Sequence, residues 1–242
     1  MRLSIFGLGY VGCVSAACLA RRGHDVVGTD VNAEKVRMIN DGMSPIVEPG
    51  ASDLIAEMVT AGRLRATTDA AEAVAASDIS LVCVGTPSNK NGSLDLTYVK
   101  RACQQIGEAL AAKGRYHIVA IRSTMLPGTV ETTVVPTLEV FSGLRAGRDF
   151  GVAVNPEFLR EGTSLADFDN PPFTLIGADD EDAAVQLRRL YADLDAPVLV
   201  VGVREAEMVK YACNCFHALK VTFANEIGNI CKAAGVDSHV VM

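Results

Sequence analysis

The sequence contains no tryptophan, and aromatic residues make up only 5% of it. A core with so few aromatic rings has to be built mainly from alanine, valine, leucine and isoleucine. No run of lysine and arginine occurs, and the net charge is −7, so the chain lacks the basic footprint that nucleic-acid partners require. No targeting segment is visible, and no apolar run reaches the length of a membrane span. We therefore expect a cytoplasmic protein that binds neither nucleic acid nor a membrane.

Cysteine is present, but its usage argues against a disulfide framework. The seven cysteines are odd in number and scattered through the chain, which is typical of reduced thiols in a cytosol. Cys213 and Cys215 are spaced like a metal pair. Residues two apart on a helix point about 200° apart, however, so one metal ion could not take both. We expect no metal site and interpret these two residues as small core hydrophobes.

Strand-like and helix-like patterns alternate over roughly the first 200 residues. The predicted strands cover Leu3–Phe6, Asp25–Thr29, Leu64–Thr67, Ile79–Val84, His117–Ile121, Gly151–Val154, Phe173–Ile176 and Val198–Val201. The predicted helices cover Val11–Arg22, Ala33–Asn40, Asp53–Ala61, Ala70–Ala76, Leu96–Ala112, Thr129–Val140 and Asp182–Leu194. Continuous apolar strands alternating with helices indicate an α/β fold, in which helices cover both faces of a parallel sheet.

A glycine-rich motif, Gly7-Leu8-Gly9-Tyr10-Val11-Gly12, lies between the first predicted strand and the first predicted helix. A G-x-G-x-x-G in this strand–helix–strand context predicts a Rossmann-like dinucleotide site. Gly7 permits a tight turn, Gly9 lets the backbone approach a pyrophosphate, and Gly12 lets the helix pack closely on the strand. The N-terminus of the helix presents unpaired N–H groups to the phosphates. The alternative is a glycine-rich turn in an ordinary α/β protein.

Asp30 ends the second predicted strand and distinguishes between the two nicotinamide cofactors. A carboxylate at this position accepts hydrogen bonds from the adenosine ribose and repels the 2′-phosphate of NADP. No arginine follows immediately, because Val31, Asn32 and Ala33 come first. The sequence therefore predicts NAD as the cofactor. The alternative is that Asp30 is a solvated strand end.

Small polar residues follow three further predicted strands. They are Thr86, Thr124, and Asn155 with Glu157 and Glu161 just beyond it. Ligands of parallel sheets bind at the carboxyl ends of the strands, so the convergence of these residues at one edge favours a site. Taken singly, each of them is better explained as a capping or turn residue.

A long helix is predicted from Glu205 to about Ala234. At about 100° per residue, one face of it collects Glu207, Lys210, Asn214, His217, Val221 and Asn225. A solvated stripe is usually rich in lysine and glutamate, so this composition favours a face that lines a ligand. Lys210 could offer a cation to a developing oxyanion, and Asn214 could bind a hydroxyl or water. A helix of this length indicates a connector between domains or a dimer interface.

Five motifs occur together in an order that resembles the UDP-glucose/GDP-mannose dehydrogenases. They are Gly7–Gly12, Val84-Gly85-Thr86-Pro87, Arg122-Ser123-Thr124 with Pro127-Gly128-Thr129, Asn155-Pro156-Glu157-Phe158-Leu159-Arg160-Glu161, and Glu207–Asn214 in the form E-x-x-K-Y-x-x-N. The resemblance runs from residue 1 to residue 242. It implies an enzyme that oxidises the C6 alcohol of a nucleotide sugar to a carboxylate with two NAD⁺, through a thioester that water hydrolyses.

The resemblance also implies roles for individual residues. Those implied to bind NAD are Gly7, Gly9, Tyr10, Val11, Gly12, Asp30, Lys35, Thr86 and Thr124. Those implied to line the nucleotide-sugar site are Phe158, Leu159, Arg160, Glu161, Lys210, Asn214, His217 and Asn225. In catalysis, Glu161 and Thr124 would position the hydrolytic water. Lys210 and Asn214 would stabilise the oxyanion.

The chain departs from the family pattern in one respect. The catalytic cysteine of the family lies in a G-x-C-x-P-K-D motif, and none of the seven cysteines here has that context. We expect residues 1–202 to form an NAD-binding Rossmann-like domain and residues 203–242 to form the truncated start of a central helical domain, which favours a homodimer. The chain alone is expected to bind NAD⁺ but to form no uronate.

The main functional interpretation is oxidation of GDP-mannose, and two alternatives to it remain open. Residues 167–173 and 217–226 resemble the GDP-mannose branch of the family, which indicates GDP-mannuronate as the product and a mannuronate-containing exopolysaccharide such as alginate as its use. Glu161-Gly162 also suits enzymes of UDP-glucose or another UDP-sugar. A hypothesis of another class is a non-catalytic NAD-binding module that ends naturally near Met242, although the apolar, uncapped end of the chain argues against it.

Overall fold

The computed structural model describes all residues from 1 to 242 and contains one eight-stranded sheet. The strands are β1 (Arg2–Phe6), β2 (Asp25–Thr29), β3 (Leu64–Thr67), β4 (Ile79–Val82), β5 (Ile118–Ile121), β6 (Gly151–Val154), β7 (Thr174–Gly177) and β8 (Val198–Val201). The helices are α1 (Tyr10–Arg21), α2 (Ala33–Asn40), α3 (Ala51–Thr60), α4 (Ala70–Ala76), α5 (Thr97–Ala111), α6 (Val135–Ser142), α7 (Ser164–Asp169), α8 (Glu181–Leu190), α9 (Val203–Ala234) and α10 (Ser238–Val241).

The order of the strands creates a crevice at the carboxyl edge of the sheet. The order is β3-β2-β1-β4-β5-β6-β7-β8, and β1 to β6 all run parallel. The chain winds outward in one direction from β1 and in the other direction from β4. The loops that follow these two strands therefore diverge, and dinucleotides bind at such a switch point. The predicted Rossmann-like fold is confirmed.

The prediction of a wholly parallel sheet is wrong for the last two strands. β6 and β7 are antiparallel, with Val154 opposite Gly177. The chain leaves β6 at the carboxyl edge, forms the short helix α7, and enters β7 without first crossing the sheet, so β7 runs back. A crossover through α8 then makes β8 parallel to β7. Six residues of α7 are too few to give a clear helical period in the sequence.

Helices cover both faces of the sheet, as the sequence predicts. Leu3 and Ile5 of β1 pack in a cluster with α1, whereas Phe6 packs in a second cluster with α5 and α6. This alternation follows from the period of two in a strand. Every residue of α1 from Gly12 to Ala20 is buried, because short side chains let that helix lie close to the sheet.

The long helix α9 packs on the sheet only through its first turns. Ala206 lies close enough to Gly177 of β7 that a Cβ at Gly177 would come within 2.4 Å of it. Beyond Lys210 most residues of α9 are exposed, including Cys213 and Cys215, so their interpretation as core residues is wrong. None of the helices combines the length and the apolar content that crossing a bilayer requires.

The segment before α6 differs slightly from the predicted continuous helix. Val130–Val134 forms a π-helical turn, and α6 follows with Pro136 near its start. Proline has no N–H to donate, which is tolerated in the first turn of a helix. The π-turn brings the N–H groups of Gly128 and Val130 close to α9, as described below.

Candidate functional site

The glycine motif forms a tight loop between β1 and α1. Gly7 has a φ of 97° and donates its N–H to the Thr29 carbonyl at 2.7 Å. A Cβ at Gly12 would lie 1.8 Å from the Gly7 carbonyl oxygen, so that glycine is required mainly by the loop itself. Nothing lies within 4 Å of the position a Cβ would take at Gly9. The backbone therefore faces open space where a pyrophosphate is expected.

The first turn of α1 points its free N–H groups toward that space. The first intrahelical bond is donated by Cys13 to the Gly9 carbonyl, at 2.9 Å. The N–H groups of Tyr10, Val11 and Gly12 consequently have no partner within the helix. An α-helix N-terminus of this kind attracts phosphate through its N–H groups and its dipole.

Asp30 lies at the end of β2, against the glycine loop. Its Oδ2 accepts the Leu8 N–H at 2.7 Å, and its Oδ1 accepts the Asn32 N–H at 2.9 Å. Lys35 Nζ is 3.6 Å from Asp30 Oδ2. A carboxylate oxygen can accept two hydrogen bonds, so capacity for ribose hydroxyls remains.

These groups border one cleft of about 310 Å³ at the switch point. Its lining residues include Gly7, Gly9, Asp30, Lys35 and Cys83. The cleft is lined by the glycine loop that leads into α1 and by an acidic residue, which fits a dinucleotide whose ribose is unphosphorylated. The arrangement that the sequence predicts for NAD is therefore present.

Thr86 and Thr124 meet at the same edge. They follow β4 and β5, and Thr86 Oγ1 donates to the Thr124 carbonyl at 2.8 Å. Asn155 follows β6 at the same edge, but its side chain is engaged within the protein. Asn155 is buried, its Oδ1 accepts from Arg122 Nη1 at 2.8 Å and from the Tyr191 hydroxyl at 2.5 Å, and its amide donates to the Leu175 carbonyl. The side chain of Asn155 thus holds the sheet edge together.

Lys210 enters the edge from α9 and is buried. Its Nζ donates to Glu157 Oε1 at 3.0 Å and to the Glu157 carbonyl at 2.5 Å. The side chains of the pair are only 7% and 12% exposed. The Phe158 ring centroid lies 5.3 Å from the same ammonium group. This arrangement fixes a cation beside the loop that follows β6.

Glu207 binds the loop that follows β5, at the same edge of the sheet. It accepts the N–H groups of Gly128 and Val130 at 2.6 and 2.9 Å. Burial raises the pKa of Glu207, although these two hydrogen bonds act in the opposite direction. The sequence places Glu207 on the predicted ligand stripe and Glu157 among the polar residues at the strand ends, but it predicts neither of these contacts. Neither contact has a local signal, since the partners lie 53 to 79 positions apart in the chain.

The predicted nucleotide-sugar residues of the loop after β6 have different surroundings. Phe158 packs edge-to-face on Phe173, with centroids 5.2 Å apart, and Leu159 is partly buried against the core. Arg160 is exposed and forms an ion pair with Asp167 at 2.5 Å. Glu161 is also exposed.

The three remaining polar residues of the predicted stripe lie on the projecting part of α9. Asn214, His217 and Asn225 are exposed. Because an α-helix rises about 1.5 Å per residue, Asn225 lies about 22 Å along the axis from Lys210. The structure therefore does not bring Asn225 to the edge that holds Lys210, and the roles of all three stay predictions.

Comparison with known proteins decides the family. Residues 1–195 match the UDP-glucose/GDP-mannose dehydrogenase family, NAD binding domain, and residues 204–242 match the central domain of the same family. The chain belongs to the UDP-glucose/GDP-mannose dehydrogenase family. The prediction of NAD as the cofactor is confirmed by the domain that the first 195 residues match.

Relatives in this dehydrogenase family match the chain along its entire length. The GDP-mannose 6-dehydrogenase of Azotobacter vinelandii is 59% identical over 100% of this chain and 56% of its own length. The UDP-glucose 6-dehydrogenase AglM of Haloferax volcanii is 44% identical over 100% of this chain and 57% of its own. A crystal structure of a ternary complex of GDP-mannose dehydrogenase from Pseudomonas aeruginosa superposes with a TM-score of 0.97 at 55% identity, covering 100% of this chain and 56% of that one.

The chain spans about half the length of the curated relatives that it matches. The match to the NAD binding domain covers the residues of the dinucleotide cleft, and the match to the central domain covers α9 from Arg204 onward. The boundary between the two matched regions, residues 195 to 204, contains β8 and the first residues of α9.

Proposed function

We propose that this protein takes part in NAD-dependent oxidation of the C6 alcohol of a nucleotide sugar to a carboxylate, with GDP-mannose as the substrate and GDP-mannuronate as the product. The observation that carries the proposal is the largely buried Lys210–Glu157 pair beside Phe158, at the carboxyl edge of the sheet. The Tyr10 hydroxyl reaches the Arg160 carbonyl at 3.4 Å, so the glycine loop and the loop after β6 adjoin.

The residues of this chain have distinct tasks in the proposed reaction. The N–H groups at the start of α1 hold the pyrophosphate, and Asp30 with Lys35 holds the adenosine ribose. NAD⁺, when bound, would accept one hydride from the sugar carbon in each of two oxidation steps, so that two NAD⁺ are reduced for each carboxylate formed. Lys210 stabilises negative charge on the sugar oxygen together with Asn214, and Thr124 and Glu161 orient water. The nucleotide-sugar site is lined by Phe158, Leu159 and Arg160. It extends along α9 to His217 and Asn225.

The choice of GDP-mannose rests on the relatives. Those named GDP-mannose 6-dehydrogenase are 55–59% identical to this chain, whereas two named UDP-glucose 6-dehydrogenase are 44% and 40% identical. A difference of this size across the same residues favours the guanine nucleotide. GDP-mannuronate supply for an exopolysaccharide such as alginate is the corresponding cellular role, in the cytoplasm.

We also propose a division of the chain and a partner for it. Residues 1–202 form the NAD-binding unit, and residues 203–242 begin the central helical unit. Large apolar side chains on the projecting part of α9 are exposed, among them Phe216, Leu219 and Phe223. A second copy of the chain is the partner that would cover them, which gives a homodimer.

Calorimetric titration of the NAD⁺-saturated chain tests the substrate. GDP-mannose is expected to bind at one site per chain and more tightly than UDP-glucose. Mannose 1-phosphate serves as the control without a nucleoside. Tighter binding of UDP-glucose would indicate that a UDP-sugar is the substrate. Binding of neither nucleotide sugar would refute the proposal.

A further inference from the structure

Glu48 is a buried carboxylate at the centre of four hydrogen bonds. Its Oε2 accepts from the Tyr10 hydroxyl at 2.6 Å and from the Gly162 N–H at 2.8 Å. Its Oε1 accepts from the N–H and the hydroxyl of Ser164, both at 2.8 Å. One side chain thus joins the first turn of α1 to a loop that lies more than a hundred residues away in the chain.

Glu48 supplies the cap that helix α7 lacks locally. The residue before α7, Thr163, makes no capping hydrogen bond with its own side chain. The N–H of Ser164 is one of the donors that the start of a helix leaves unpaired, and Glu48 accepts it. A negative charge at this position also interacts favourably with the helix dipole.

A second carboxylate, that of Asp167, accepts hydrogen bonds from several groups of the same loop. Asp167 accepts the backbone N–H of Arg160 at 3.0 Å, its side chain at 2.5 Å, and the Thr163 hydroxyl at 3.0 Å. The loop from Arg160 to Ser164 is therefore held by two carboxylates, Asp167 of the adjoining helix α7 and Glu48 of the segment between α2 and α3.

No cation takes part in the attachment by Glu48. All four donors to Glu48 are neutral groups. Burial alone would raise the pKa of Glu48, but the hydrogen bonds from Tyr10, Ser164 and Gly162 outweigh it and lower the pKa to about 2. The carboxylate is ionised at neutral pH, and each hydrogen bond to it is charge-assisted.

Tyr10 gives the attachment a link to the cofactor. Its backbone N–H is one of the free donors that face the pyrophosphate position, while its hydroxyl donates to Glu48 and also lies 3.4 Å from the Arg160 carbonyl. We propose that Glu48 is a positioning residue that ties the Arg160–Ser164 loop to Tyr10, so that NAD⁺ binding orders the loop against which the nucleotide sugar binds. The substrate half of this inference rests on the function proposed above.

Amide hydrogen exchange of the 242-residue chain tests the attachment directly. In the wild type, NAD⁺ is expected to slow exchange at Gly162 and Ser164. In Glu48→Gln, one carboxylate oxygen is replaced by an NH2 donor and the charge is lost, so the amides of Gly162 and Ser164 cannot both keep their acceptor; exchange at one or both should accelerate by about 5- to 100-fold while NAD⁺ no longer slows it. Tyr10→Phe removes only the hydroxyl, so exchange without NAD⁺ should stay near the wild-type rate and the NAD⁺ effect should shrink.

Two controls separate positioning from general loss of structure. Glu57→Gln changes an exposed glutamate of α3 and should behave as the wild type. Exchange in β1 and β4 should be the same in all variants, which shows that the sheet is intact. Wild-type exchange at Gly162 and Ser164 in Glu48→Gln, or a full NAD⁺ effect in both variants, would overturn the proposal.

A second arm measures the affinity for GDP-mannose with and without NAD⁺. The wild type should bind GDP-mannose more tightly when NAD⁺ is present, and Glu48→Gln should lose most of that enhancement. Equal enhancement in both would overturn the coupling. If the wild type binds no GDP-mannose at all, the substrate half falls with the proposed function, and the exchange arm alone decides whether Glu48 ties the loop to the cofactor site.

Discussion

At the residue scale, two buried glutamates and a third that is largely buried connect the segments around the site, and each has a different partner. Glu157 binds the ammonium group of Lys210, and Glu207 binds two backbone N–H groups. Glu48 binds two hydroxyls and two backbone N–H groups. A buried carboxylate is costly unless its lone pairs are used, so each glutamate constrains the group it faces.

The Lys210–Glu157 pair leads to a prediction about stability. Lys210→Met leaves the carboxylate of Glu157 buried without its cation and should lower the free energy of unfolding by about 3 kcal/mol. Adding Glu157→Gln should recover part of this loss, because no charge is then left unpaired. Urea unfolding of the two single variants and the double variant measures the coupling. Lys220→Met, at an exposed position of α9, is the control, and strictly additive effects would contradict the prediction.

The sequence identifies one member of this pair and misses the significance of the other. Lys210 stands out because it belongs to a polar stripe with a helical period. Glu157 belongs to the motif that follows β6. Nothing near it in the sequence indicates that its partner is Lys210, because the two residues are 53 positions apart. Asp30 could be predicted because its role follows from local order along a strand–helix–strand unit.

At the element scale, strands and helices with a strong period have the bounds that the sequence predicts. β2, β3, β6, β8, α2 and α4 agree with the predicted ranges residue for residue. The direction of β7 could not be predicted, because it depends on α7 and on where the chain re-enters the sheet, and six residues carry no clear pattern. The attachment of α7 by Glu48 is likewise a long-range contact without a local signal.

The Glu48 attachment predicts a characteristic response to acid. Its pKa is about 2 in the folded chain against an ordinary 4.5, so its contribution is complete above pH 4.5 and is lost as the pH falls toward 2. The shift corresponds to roughly 3 kcal/mol. The difference in unfolding free energy between the wild type and Glu48→Gln should therefore shrink as the pH is lowered from 6 to 2.5. A difference that stays constant over this range would contradict the assignment.

At the scale of the whole molecule, α9 has two parts with different functions. Its first turns cross β7 and deliver Glu207 and Lys210 to the edge, and the rest of the helix projects with apolar side chains exposed. Phe216, Leu219 and Phe223 are spaced three and four residues apart, so they share one face. An apolar face of this kind is typical of an interface.

The projecting face predicts self-association. In sedimentation experiments, the wild-type chain should form a dimer as its concentration rises. Leu219→Asp places a charge at the centre of the face and should leave the chain monomeric, while NAD⁺ affinity stays unchanged because Leu219 is remote from the cleft. His239→Asp, which also adds an acidic residue at an exposed position, is the control. A wild type that remains monomeric at its highest soluble concentration would contradict the proposed homodimer.

The central claim is that the edge of this sheet binds NAD through the start of α1 and through Asp30. The most direct measurement is a calorimetric titration of NAD⁺ and NADP⁺ into the wild type, Asp30→Ala and the exposed control Asp41→Ala. We expect the wild type and the control to bind NAD⁺ in preference to NADP⁺, and Asp30→Ala to lose about ten- to hundred-fold in NAD⁺ affinity. Unchanged NAD⁺ affinity in Asp30→Ala, or equal binding of NADP⁺ by the wild type, would contradict it.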